Sequence, residues 1–137
     1  MWWFGYEIAE KHKLGIYTEE QMNWCYHERE LERRKLLFSL DSNAVWPEDK
    51  PRRGDYLYGE AYPEGIEEAV HRFVARAPSE VFLSQLEDIL HVEKMQNVPG
   101  IDRDQHPNWR RKLPVRLENL ESDIAYVRNI AAIKKER

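Results

Sequence analysis

Apolar positions recur at helical spacing in four stretches of the chain and break off where proline and glycine gather. Residues 2–14 predict a helix, although Trp3, Tyr6, Ile8 and Leu14 form no clean stripe, and Gly15 supplies its stop. Thr18 then offers an N-cap. Gln21 stands three residues on as its capping-box partner, with Glu19 and Glu20 at the positive end of the dipole. The helix so opened is expected to run to about Ser39, with Met22, Tyr26, Leu36, Leu37 and Leu40 as its apolar positions. Its middle, residues 28–35, is densely charged, and Glu28 and Glu32 precede charged partners at helical spacing. That run is read as a solvated face, not a binding patch.

From 41 to 63 the pattern changes. Pro47, Pro51, Gly54, Gly59 and Pro63 alternate with Trp46, Tyr56, Tyr58 and Tyr62, which predicts a long loop. Its aromatic residues are expected to pin it to the body. Residues 64–76 return to helix, with Ile66, Val70, Phe73 and Val74 on one side, until Ala77-Pro78 ends it. Residues 81–85 are a short apolar run with a polar end, read as one buried strand or the start of another helix. A short helix over 86–90 precedes a loop at 91–108 that contains Asn97-Val98-Pro99-Gly100. Trp109 opens a basic segment. A last helix is expected over 115–134, carried by Leu117, Leu120, Ile124, Val127 and Ile130. No internal repeat is evident.

Composition narrows the function classes. At 137 residues the chain suits one domain or a piece of one, and 42% apolar with 34% charged residues is ordinary for a globular protein. A formal net charge of −4 gives no global pull toward nucleic acid or anionic membrane, and Arg110, Arg111 and Lys112 are too isolated a patch to change that. No apolar run approaches the roughly 20 residues of a membrane span. Cys25 is the single cysteine, which fits a reducing compartment, and it is expected to be a small, partly buried residue. With no secretory signal at the N-terminus, a cytoplasmic protein is the expectation. The histidines His12, His27, His71, His91 and His106 show no metal-ligand spacing; His71, beside Phe73 and Val74, reads as a packed or capping residue. The 5 Trp and 7 Tyr are many for this length, and such rings serve cores, interfaces and sugar stacking alike.

Two blocks are distinctive. One is Gln85-Leu86-Glu87-Asp88-Ile89-Leu90, preceded by Pro78-Ser79; the other is Asn97-Val98-Pro99-Gly100 followed by Asn108-Trp109-Arg110-Arg111-Lys112-Leu113. Their order and spacing resemble the C-terminal end of bacterial amylomaltases, the 4-α-glucanotransferases also called disproportionating enzymes. Weaker similarity extends through Ala69-Val70-His71-Arg72 and back to Trp2-Trp3-Phe4, so the resemblance runs over essentially the whole chain. At position 101 the family commonly has Thr, where this chain has Ile101.

The resemblance implies a (β/α)₈ barrel of which residues 1–137 would be a C-terminal fragment. The expected fold class here is therefore mainly α, with at most one or two short strands. It also implies transfer of α-1,4-glucan segments between maltooligosaccharides by a retaining double displacement. That mechanism needs two carboxyl groups about 5 Å apart and no metal or organic cofactor. In the family these carboxylates lie upstream of the matched region, so the chain alone is expected to be inactive. The residues agree: Glu87 and Asp88 are adjacent, diverge on either a strand or a helix, and cannot jointly flank one bond. A helix start, or a link to Arg110 or Arg111, is the expected role for that pair.

Candidate substrate contacts are Asn97, Gln85 and Trp109. If 81–85 is the last barrel strand, Gln85 and the loop holding Asn97 open on the active-site face. An amide offers donors and an acceptor to sugar hydroxyls. The resemblance places a glucan contact at Asn97, whose bland role would be a side-chain turn bond before x-Pro-Gly. Trp109 stacks on a sugar or plugs the rim, and packing is the favoured expectation. The expected partner is an α-1,4-glucan, with self-association through exposed apolar surface. An independent helical interaction module, or a glucan-binding module without catalysis, is the alternative.

Overall fold

A computed structural model of the chain describes residues 2–50 and 62–137. The part of the expected long loop that holds Tyr56 and Tyr58 lies outside the described residues. Helices α1 (Tyr6–Lys13), α2 (Glu19–Ser42), α3 (Ile66–Ala75), α4 (Leu86–Ile89) and α5 (Ile124–Glu136) are joined by turns, with 3-10 segments at Trp2–Phe4 and Leu117–Ser122. Among the described residues there is no strand.

The first expected helix is broken at Gly5, and the backbone explains why. Gly5 has φ +68, and a Cβ there would sit 2.9 Å from the Tyr26 ring. The left-handed turn sends Trp3 inward instead of onward along a helix, and Trp3 ends only 3% exposed. It joins Leu37, Leu40, Val45, Trp46, Ile66 and Ala69 in a core between the C-terminal half of α2 and α3.

Helix α2 begins as expected. Thr18 Oγ1 accepts from Gln21 N–H at 3.2 Å, and the Gln21 side chain accepts from Thr18 N–H at 2.9 Å. Thr18→Ala is expected to lower the melting stability by about 1 kcal/mol, read as a shift in a thermal melt followed by circular dichroism. The charged middle of α2 is not simply solvated. The Arg29 guanidinium lies 4.6 Å from the centre of the Trp2 ring, donates to the Trp2 carbonyl and pairs with Glu7. Arg33 lies 5.5 Å from the centre of Trp3. The inner edge of the charge run thus clamps the tryptophans through cation–π contact.

The last expected helix is also two pieces. Asp123 adopts extended angles and its carboxylate accepts from Tyr126 N–H at 2.9 Å, so it caps α5 afresh after the 3-10 turn. Helix α5 packs along α3. At their far end Glu136 accepts from Arg72 Nε at 2.7 Å and also from Arg76. The Arg76 hydrogen bond, outweighing burial and aided by Arg72, holds the Glu136 carboxyl down to about 2. A carboxyl depressed on folding stabilises the fold above its unfolded value and loses that contribution as pH falls toward the folded one. Melting temperature should therefore drop between about pH 5 and about pH 2. Glu136→Gln should remove that slope and cost about 1–2 kcal/mol at neutral pH, because the share of the 38%-exposed Arg76 is screened by solvent.

Residues 81–85, read from sequence as a buried strand or a helix start, are neither. They have no regular structure, and Val81 and Leu83 are 68% and 88% exposed. Among the described residues no sheet lies alongside to cover them.

Candidate functional site

The loop between α4 and the 3-10 turn at Leu117–Ser122 has no regular structure, and one side chain organises it. Asn108 Oδ1 accepts from Val98 N–H at 2.8 Å and from His106 Nδ1 at 2.7 Å. Its Nδ2 donates to the carbonyls of Ile101 at 3.0 Å and Val98 at 3.4 Å. Because Oδ1 can only accept, the buried His106 carries its proton on Nδ1. Val98 is buried beneath this network.

The result is a groove of 610 Å³ whose walls include Asn97, Pro99, Asp102, Trp109 and Arg110. Asn97 is half-buried and its amide has no hydrogen-bond partner among the described residues. The turn-forming role weighed for Asn97 falls to Asn108 instead. Trp109 corrects the packing expectation: it is 74% exposed. Its backbone sits at φ +58, where bulky residues are rarely found, and its N–H donates to the Gln96 carbonyl at 2.8 Å. That bond, together with the Asn108 network, holds the indole out in solvent beside Asn97.

Gln85 stands apart from this groove. It is exposed, precedes α4, and its carbonyl accepts from the N–H groups of Asp88 and Ile89. Asn97 and Trp109 are thus brought together, and Gln85 is not with them. The expected link from Glu87 or Asp88 to Arg110 or Arg111 is absent among the described residues; both acids line a different cleft, beside Glu67 and His91. His71 is packed, as read. Its Nδ1 donates to the Glu67 carbonyl at 2.8 Å, and its Nε2 accepts from the Ser84 hydroxyl at 3.1 Å. Sequence reasoning missed Asn108. The available signal was an asparagine after His106-Pro107, a residue type that bonds nearby backbone, and it was read only as part of a motif. Among the described residues no three His, Cys, Asp or Glu side chains group as a metal site, and no helix is long and apolar enough to cross a membrane.

Comparison with known proteins supplies the family. A 4-alpha-glucanotransferase from Haemophilus influenzae is 28% identical over 111 residues, which cover 81% of this chain and 15% of that protein. The chain thus spans about a seventh of the length of the curated relative it matches. The 4-alpha-glucanotransferase family profile matches residues 16–118, a narrower span than the whole-chain resemblance, since the Trp2-Trp3-Phe4 start and α5 fall outside it. The matched span holds the groove, the Asn108 network and Gln85, and by that match the chain belongs to the 4-alpha-glucanotransferase family.

Proposed function

We propose that residues 1–137 form the C-terminal part of a (β/α)₈ glucanotransferase barrel and contribute one rim of its α-1,4-glucan cleft. The observation that carries this reading is the pairing of the Asn97 amide, without a partner among the described residues, with the exposed, backbone-strained Trp109 on one groove. An indole face stacks on the apolar side of a pyranose, and an amide bonds its hydroxyls in either direction. The exposed Val81 and Leu83 support the barrel reading, because an apolar segment left uncovered is what an outermost strand becomes when its neighbours are elsewhere. Gln85, at the end of that segment, would reach the glucan only once the segment is paired. Self-association through these residues is expected in the isolated chain.

The reaction of the complete protein is glucan transfer with retention, in the metabolism of maltodextrin and glycogen in the cytoplasm. Its two carboxyl groups are placed outside these residues by the family resemblance, which puts them upstream of the matched region. The chain alone should therefore release no glucose from maltotriose, and glucose release would overturn that statement. The rim reading is tested by titrating maltoheptaose against tryptophan fluorescence. A saturable change at millimolar sugar is expected, lost in Trp109→Ala and weakened about tenfold in Asn97→Ala, the size of one uncharged hydrogen bond. An unchanged response in both variants refutes the rim.

A further inference from the structure

His71 and Ser84 form a pair that neither the hydrophobic core nor the rim groove uses. His71 sits one turn after Glu67 on α3 and is 7% exposed. Its Nδ1 lies 2.8 Å from the Glu67 carbonyl, and its Nε2 lies 3.1 Å from the Ser84 hydroxyl. A carbonyl oxygen only accepts, so the ring proton is on Nδ1 and Nε2 keeps its lone pair for Ser84. The hydroxyl therefore donates to the imidazole. A base-activated nucleophile needs this order of groups: an acceptor that fixes the ring, a ring nitrogen free to take a proton, and a hydroxyl within reach of it. The acceptor here is a backbone carbonyl on a packed helix, in the place a carboxylate takes in a Ser-His-Asp triad.

The serine is held as well as the histidine. Arg137 donates to the Ser79 carbonyl at 2.7 Å, and its guanidinium lies 5.8 Å from the centre of the Phe82 ring. The Ser79 hydroxyl donates to the Val81 carbonyl at 2.8 Å. The segment before Ser84 is thus pinned to the C-terminus, and Ser84 itself to α3. Ser84 is half-buried, so its hydroxyl sits beside an enclosed base without being enclosed itself. The N–H of Gln85, the residue after the serine, donates to nothing among the described residues. An N–H in that position is within reach of the oxyanion formed when a serine hydroxyl adds to a carbonyl.

The surroundings select the substrate. A single oxyanion donor and no carboxylate behind the ring suit a good leaving group, so an ester fits and an amide does not. Glu80, Glu87 and Asp88 stand within four positions of Ser84, and they repel an anionic ester. Leu83, 88% exposed, gives an apolar acyl chain a surface to lie on.

We propose that Ser84 and His71 form a hydrolytic site that cleaves neutral carboxylic esters with a short apolar acyl chain. Ser84 Oγ bonds to the ester carbonyl carbon as its proton passes to His71 Nε2. The C–O bond to the alcohol then breaks, and the alcohol leaves with that proton. Water adds to the acyl-serine by the same route, its proton going to Nε2 and then to Ser84 Oγ as the carboxylic acid departs. The site stands on its own side chains and needs nothing from the glucan reading.

The test uses the intact 137-residue chain and p-nitrophenyl butyrate. A burst of about one nitrophenolate per chain is expected, with a butyryl adduct mapped to Ser84 by mass spectrometry. Diisopropyl fluorophosphate should label the same residue. Ser84→Ala, at a half-buried position, should keep the helical signal at 222 nm and lose both adducts. His71→Gln should slow labelling about a hundredfold, the size of a general-base contribution. Because that change lies in a packed helix, Ser84→Cys supplies a second measure. At pH 6 the introduced thiol should react with iodoacetamide at least tenfold faster than either Cys25 or free glutathione, since the imidazole takes its proton. A wild-type chain that carries no adduct on Ser84 overturns the proposal, and the Ser84–His71 bond then only ties the segment to α3. An introduced thiol no faster than glutathione overturns it too, as does labelling that His71→Gln leaves unchanged.

Discussion

Replacing Asn108 with alanine is expected to abolish the Trp109 response to glucan while leaving the helical core almost unchanged. Its amide group makes four hydrogen bonds, to Val98 N–H, the Val98 and Ile101 carbonyls and His106 Nδ1. Alanine leaves a buried histidine and partly buried backbone groups without those partners, at about 1–3 kcal/mol for each buried group that water cannot reach. A loop without regular structure has no ladder to compensate, so it opens. The core of Trp3, Leu37, Leu40, Val45, Trp46, Ile66 and Ala69 contains none of these residues and should keep its melting signal at 222 nm nearly intact. Hydrogen exchange separates the two regions: the N–H groups of Val98 and Trp109 should lose protection in the variant, while those of α2 and α3 retain it. Asn108→Asp keeps the acceptor and loses the Nδ2 donor, so it should fall between wild type and alanine. If Asn108→Ala binds glucan as the wild type does, the network is not what positions the rim.

What could be read from the chain follows the range of the interaction involved. The start of α2 was legible because Thr18 and Gln21 cap it within four residues of each other. The inner face of α3 was legible in part: Ile66, Val70 and Phe73 do meet the core, but Val74, read on the same side, is 44% exposed. The break at Gly5 was not, because it is decided by Tyr26, twenty-one positions away. The roles of Arg29 and Arg33 were hidden for the same reason. A dense charge run looks solvated until the tryptophans it covers are placed against it. At the candidate site the motif marked one loop, and Asn97 and Trp109 meet in it. It did not separate the residue that builds the loop, Asn108, from those that the loop displays. Gln85 shows the remaining difficulty. Its expected position depended on a strand, and a strand needs a neighbour, which is absent among the described residues.

The largest loss of stability should come from Arg72→Met. Arg72 is 7% exposed, and its guanidinium donates to Glu136 at 2.7 Å and to the Val45 carbonyl at 3.0 Å. Val45 is fully buried and follows the left-handed Ala44, so its carbonyl is turned inward where water does not reach it. One side chain therefore ties α3 to α5 and to the chain reversal after α2. Methionine matches much of the volume but leaves the Glu136 carboxylate, 10% exposed, with Arg76 alone, and leaves the Val45 carbonyl without a donor. Losing the charged hydrogen bond to Glu136 and leaving the buried Val45 carbonyl unbonded together cost about 3–5 kcal/mol. For a chain of this size that is a fall in melting temperature of roughly 10–15 °C. Arg72→Lys should recover only part of it, since an ammonium cannot reach both acceptors with the geometry of the planar fork. The decisive comparison is the double variant Arg72→Met with Glu136→Leu. With the buried carboxylate gone its desolvation penalty goes as well; the Val45 carbonyl stays unsatisfied, while Arg76, 38% exposed, loses Glu136 but turns to water, so stability should rise above that of Arg72→Met alone. If the two substitutions add without coupling, Arg72 stabilises the fold through Val45 and the surrounding packing, and the pair with Glu136 contributes nothing at neutral pH.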